Sequence, residues 1–140
     1  MFDTSTNTTA GRLLIDSIGY FGGLAVSEDG SRVYVSNTAG FAYAFDIQGN
    51  CALAGTCALT IVTLGGIPAG VAFSPDGSRA YIANVSFESN SVWVVDTATA
   101  TVIATAQTGQ SPFAVAVTPD GTRLYVVNAL DGLSSSVSVC

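Results

Sequence analysis

The chain contains no histidine and no lysine, and only 10% of its 140 residues are charged. Without histidine, the commonest general base and the commonest transition-metal ligand are missing. Serine–histidine and cysteine–histidine catalysis within one chain are thereby excluded. Positive charge is confined to Arg12, Arg32, Arg79 and Arg123, against ten acidic residues, and the net charge is −6. Such a chain repels a phosphate backbone and an anionic lipid surface, so neither nucleic acid nor membrane is expected as a partner. Long apolar runs are missing as well. The longest candidate, residues 58–73, is interrupted by Thr60, Thr63, Gly65, Gly66 and Pro68, and no membrane helix is read there. Residues 1–10 are polar and Thr-rich, without the basic start and apolar centre of a signal peptide, and are expected to form a disordered tail. No catalytic residue, metal ligand set or cofactor is expected.

What the chain has is apolar residues, at 49%, and a repeat. Three segments align without gaps: GGLAVSEDGSRVYVSN (22–37), AGVAFSPDGSRAYIAN (69–84) and FAVAVTPDGTRLYVVN (113–128). Their turn glycines, Gly30, Gly77 and Gly121, stand 47 and 44 residues apart. A period of ~40–50 residues is the size of one four-stranded propeller blade. The prolines keep the same period: Pro68 matches Pro112, and Pro75 matches Pro119.

Each repeat reads as strands. The first is short and apolar, with Ala25, Ala72 or Ala116 at a shared position where a small residue lets innermost strands crowd around an axis. A Ser/Thr-Pro/Glu-Asp-Gly turn follows, its glycine supplying the left-handed φ that closes a hairpin. The second strand, RVYVSN, RAYIAN or RLYVVN, is rich in aromatic and β-branched residues. FAYAFD, SVWVVD and SVSV form the third strand, and ALTIVTL and ATVIATA the fourth, with RLLIDSI (12–18) as a further outer strand. The expected class is an all-β propeller of three blades. Its parts are a tail over 1–10, an orphan outer strand over 11–18, blade 1 over 20–65, blade 2 over 66–109 and an incomplete blade 3 over 110–140.

SPDGSRAYIAN (74–84), TPDGTRLYVVN (118–128), SEDGSRVYVSN (27–37) and VWVVDTAT (92–99) resemble the YVTN-type β-propeller repeat. The resemblance covers nearly all of the chain after residue 11, with Glu28 in place of one turn proline. It implies a propeller fold and company among surface-layer and secreted proteins, and among lactonase-like and amine-dehydrogenase-like propellers. Since propellers are scaffolds, function rests on a site. The expectation is a non-catalytic module that binds a protein or carbohydrate. The alternative is a lactonase-like hydrolase with a central-channel site assembled by oligomerisation.

Three blades fall short of the ~4–8 that close a propeller and leave two open ends. The strand tally of twelve makes an integral three blades, so two chains joined head to tail would close a six-bladed ring. The other reading is a fragment of a longer propeller.

Cys51 and Cys57 flank a loop between third and fourth strands, where a disulfide is expected, and with it an extracytoplasmic location. Cys140 is left over. Asp29, Asp76 and Asp120 occupy equivalent turn positions and are expected to serve structure. The loops that break the repeat carry the binding candidates. These are Phe87, Glu88, Asn90, Leu130 and Asp131, with Tyr20, Phe21 and Phe113 nearby. Exposed aromatics beside carboxylates suit a protein or carbohydrate partner, and packing between blades is the competing role for them.

Overall fold

The computed structural model describes residues 2–6, 8–9, 15, 17–47, 57–86, 88–129 and 135–140. Among these residues the structure is all-β. A short pair, β1 (Phe2–Asp3) and β2 (Thr8–Thr9), precedes three antiparallel meanders. Blade 1 contains β3 (Phe21–Val26), β4 (Arg32–Asn37), β5 (Phe41–Asp46) and β6 (Ala58–Thr63). Blade 2 contains β7 (Pro68–Phe73), β8 (Arg79–Asn84), β9 (Ser91–Asp96) and β10 (Thr101–Gln107). Blade 3 has three strands, β11 (Pro112–Val117), β12 (Leu124–Ala129) and β13 (Ser135–Val139).

The β1–β2 pair lies within the expected tail over 1–10, with Phe2 opposite Thr9 and Asp3 opposite Thr8. The β-branched threonines of this segment favour extended backbone. The expected outer strand over 11–18 falls largely outside the described residues. Its described members, Ile15, Ser17 and Ile18, are not in a strand.

The blades stack face to face. Between blades 1 and 2 lie Tyr34, Ala42 and Val62 on one side and Val71, Ile82 and Trp93 on the other. The Tyr34 and Phe73 rings meet edge to face, with centroids 5.2 Å apart. Between blades 2 and 3, Tyr81 and Val92 face Val115, Leu124 and Val126. Strand β9, SVWVVD, is thereby buried on both faces, which explains why it is an apolar run without alternation.

The innermost strands β3, β7 and β11 run side by side, and glycine permits it. A Cβ on Gly23 would lie 2.6 Å from the Ala69 carbonyl oxygen. One on Gly70 would lie 2.7 Å from the Phe113 carbonyl oxygen and 2.8 Å from Ala114 Cα. In each blade the pairing of the inner strand shifts here, between Phe21 and Leu24, Pro68 and Val71, and Pro112 and Ala114. These irregularities turn the strand at its start. The Ser36 hydroxyl ties the seam of blades 1 and 2, accepting from Gly23 N–H at 2.7 Å and donating to the Ala69 carbonyl at 2.5 Å.

Gly70→Ala forces backbone apart at this seam and lowers stability by about 1–3 kcal/mol. The result is a lower urea midpoint with an unchanged slope. An unaltered midpoint contradicts the seam.

Candidate functional site

Antiparallel pairing places the start of every inner strand beside the end of its second strand, at one rim of the stack. Phe21 is opposite Asn37, Pro68 opposite Asn84 and Pro112 opposite Asn128. One backbone bond recurs there in all three blades: Thr38 N–H to the Tyr20 carbonyl, Val85 N–H to Ile67, and Ala129 N–H to Ser111, at 2.8–2.9 Å. The loop between β4 and β5 and its counterparts share this upper rim with the segments leading into β3, β7 and β11.

The asparagines brace it. Asn37 Oδ1 accepts from Ala39 N–H at 2.8 Å, and its Nδ2 donates to Ser17 Oγ at 3.2 Å. Asn84 Oδ1 accepts from Ile67 N–H at 3.2 Å. Asn128 Nδ2 donates to the Ser138 hydroxyl at 2.9 Å and the Ser136 hydroxyl at 3.1 Å. Gly66, at φ +58°, passes directly over Asn84, where a Cβ would lie 2.6 Å from its Oδ1. Side-chain bonds of this kind stabilise turns and strand ends. Ser111 takes a left-handed φ of 51° and is held by its N–H to the Ser89 carbonyl at 2.8 Å. Its hydroxyl donates to the Ser86 carbonyl at 3.4 Å. The β8–β9 loop is thus tied to the start of blade 3.

Of the sequence-derived candidates, Tyr20 is 83% exposed, Phe21 51% and Phe113 56%, and all three stand at this rim. Glu88 and Asn90 are exposed on the β8–β9 loop, and the Asn90 carbonyl accepts from Thr108 N–H at 2.7 Å. Phe87, Leu130 and Asp131 lie outside the described residues. Phe21 also packs within its own blade, edge to face on Tyr43 with centroids 6.3 Å apart. Two residues that were not among the expected binding candidates join the group: Ile18, 89% exposed, and Ile67, 40% exposed. Ile67 holds the same register position as Tyr20, which is the signal that marks it.

The opposite rim carries the acidic turns. Asp29 Oδ1 accepts from the Ser27 hydroxyl at 2.6 Å and from Ser31 N–H at 3.0 Å. Asp76 repeats this with Ser74 and Ser78, and Asp120 with Thr118 and Thr122. These bonds, the hydroxyl of Ser27, Ser74 or Thr118 foremost, hold each carboxyl down at a pKa of about 2. Arg32 leaves its turn and donates from Nη1 to the Thr97 carbonyl of blade 2 at 2.7 Å. Also at this rim, a cavity of about 160 Å³ opens between blades 2 and 3, beside Tyr81, Val117, Arg123 and Cys140. Val117 stands where blade 2 has the larger Phe73, which fills the corresponding space against Tyr34.

Cys57 is half-buried just before β6 and is not a free thiol, whereas Cys140 is free and exposed. Cys51 lies outside the described residues. Among the described residues no three His, Cys, Asp or Glu side chains converge as a metal site. No helix among them is long and apolar enough to cross a membrane.

Because the folded pKa of the turn aspartates is depressed from 3.8 to about 2, their contribution is complete above pH ~4 and is lost as pH falls towards 2. Thermal melts are expected to be insensitive to these groups above pH 5 and to drop between pH 4 and 2. Asp76→Ala shallows that drop, and an unchanged acid limb in the variant contradicts the assignment.

No family model matches the chain, and no curated protein matches it. Among solved structures it is similar to a chain of hydrazine synthase from Kuenenia stuttgartiensis, with a TM-score of 0.84 and 26% identity over 99% of this chain. The present chain spans only 38% of that chain's length. The likeness supports a propeller-like all-β fold.

Proposed function

We propose that the chain is a non-catalytic propeller module that binds a protein partner through its upper rim. The observation that carries this reading is the row of exposed apolar side chains there: Ile18, Tyr20, Phe21, Ile67 and Phe113. Scattered exposed hydrophobics are ordinary, but a group at one rim of adjacent blades marks an interaction surface. Ile18 and Ile67 are aliphatic and favour a peptide or protein over a carbohydrate, which stacks on aromatic faces. Net charge of −6 favours a partner that carries basic residues near its apolar anchors. The lactonase-like alternative needs carboxylates free to act on a substrate. The three that repeat are engaged in turns at the opposite rim.

The YVTN-type assignment, an extracytoplasmic location and a Cys51–Cys57 disulfide belong to the same proposal. Repeat spacing and turn chemistry support the first, and the absence of a free thiol at Cys57 supports the other two.

Selection from a displayed random peptide library is expected to yield ligands rich in apolar and basic residues. Tyr20→Ala with Ile67→Ala weakens them by about tenfold or more. Ligands that bind the double variant unchanged contradict the rim as the site. Alkylation of the folded, unreduced chain labels Cys140 alone, and reduction exposes Cys51 and Cys57. Three labels before reduction contradict the disulfide.

A further inference from the structure

Formal charge divides unevenly between the two rims. Arg32 is opposite Asp46 and Arg79 opposite Asp96, which puts all four at the lower rim. Glu28, Asp29, Asp76 and Asp120 lie in the turns there, and Arg123 directly precedes β12. Among the described residues of the blades, the upper rim carries a single formal charge, Glu88. The turn aspartates are engaged by their own hydroxyls and N–H groups, and Asp96 accepts from Ala98 and Thr99 N–H. Glu88 is exposed and makes no hydrogen bond or ion pair to a described residue.

The backbone fixes where this carboxylate stands. Glu88 is the third residue of a turn that Ser89 N–H closes on the Ser86 carbonyl at 2.9 Å. On one side of the turn, Val85 N–H donates to the Ile67 carbonyl at 2.9 Å. On the other, Ser111 donates its N–H to the Ser89 carbonyl at 2.8 Å and its hydroxyl to the Ser86 carbonyl at 3.4 Å. Phe113 follows two residues later. The turn is thereby tied between the segments that bear Ile67 and Phe113, which are 40% and 56% exposed. A carboxylate without a partner stands between two apolar anchor points, in a rim that offers it no cation among the described residues.

We infer, building on the upper-rim reading, that Glu88 sets the charge preference of this rim. It selects, in a peptide or protein partner, one lysine or arginine placed beside an apolar side chain that seats at Ile67 or Phe113. The apolar contact supplies affinity and removes water from around the carboxylate, which strengthens its attraction for a cation. The carboxylate supplies orientation, because a cation elsewhere along the rim meets no opposite charge. The rest of the acidic charge does not act here. Six-residue strands separate the rims by about 20 Å, more than twice the ~8 Å over which exposed charges act at physiological salt.

The test selects ligands from one displayed random peptide library on the unmodified chain, on Glu88→Gln and on Glu28→Gln. Each variant removes one exposed carboxylate, so both alter net charge equally, and only Glu88 stands at the upper rim. Peptides selected on the unmodified chain and on Glu28→Gln are expected to carry a lysine or arginine next to an apolar residue. Those selected on Glu88→Gln keep the apolar residue and lose the basic one. A basic peptide selected on the unmodified chain binds Glu88→Gln about two- to fivefold more weakly, and its sensitivity to salt falls. Glu88→Lys turns the selection towards acidic peptides. Basic residues that persist on Glu88→Gln, or that vanish on Glu28→Gln, overturn the inference, as do ligands of the unmodified chain without a basic residue. Tyr20→Ala with Ile67→Ala separates this failure from that of the rim. Unchanged binding to the double variant removes the rim as the site. Weakened binding there, with basic residues still selected on Glu88→Gln, removes only the role of Glu88.

Discussion

The whole arrangement depends on how closely the innermost strands approach one another. Sheets that fan around an axis are most crowded at their inner edges, and only residues with little or no side chain fit there. Gly23 and Gly70 meet this demand, each facing the backbone of the next inner strand at a distance a methyl group does not tolerate. Because the strands are close, their sheets are close along the whole of each face. That is what allows Tyr34, Phe73, Trp93 and Val126 to fill the spaces between blades.

Two further devices hold each blade to its neighbours and to itself. At the lower rim the hydroxyl–carboxylate–amide turn repeats three times with the same geometry, and Arg32 carries the connection across to blade 2. At the upper rim Asn37 and Asn84 end their second strands and brace the segment in front of the inner strand, while Asn128, near the end of β12, braces β13. The lower rim uses its polar groups on itself. The upper rim satisfies its backbone and leaves its large apolar side chains in solvent, which is why binding is assigned there.

The blades were legible because their punctuation is chemical. Asp-Gly after Ser-Pro or Thr-Pro specifies a hairpin, and a 44- to 47-residue period specifies a blade. The seam was legible only approximately. Small residues at Ala25, Ala72 and Ala116 pointed to crowding, but the closest approach falls earlier, at Gly22, Gly23 and Gly70, where the strand pairing shifts register. Composition shows that small residues are present and does not show where a bulge will bring backbones together. The candidate site was legible in part. Tyr20, Phe21 and Phe113 were drawn from their nearness to the repeat's start, and pairing puts them at one rim. The contact of Phe21 with Tyr43 crosses from β3 to β5, and the exposure of Ile18 and Ile67 depends on which way a loop turns. Neither is encoded in local spacing.

The central claim is that the two rims divide the work, the lower one spent on its own turns and the upper one left to bind through Ile18, Tyr20, Phe21, Ile67 and Phe113. The most direct measurement is chemical-shift mapping of a library-selected peptide on the isotope-labelled chain. The account predicts shifts gathered at those upper-rim residues. Shifts gathered instead at the turns of Asp29, Asp76 and Asp120 contradict it.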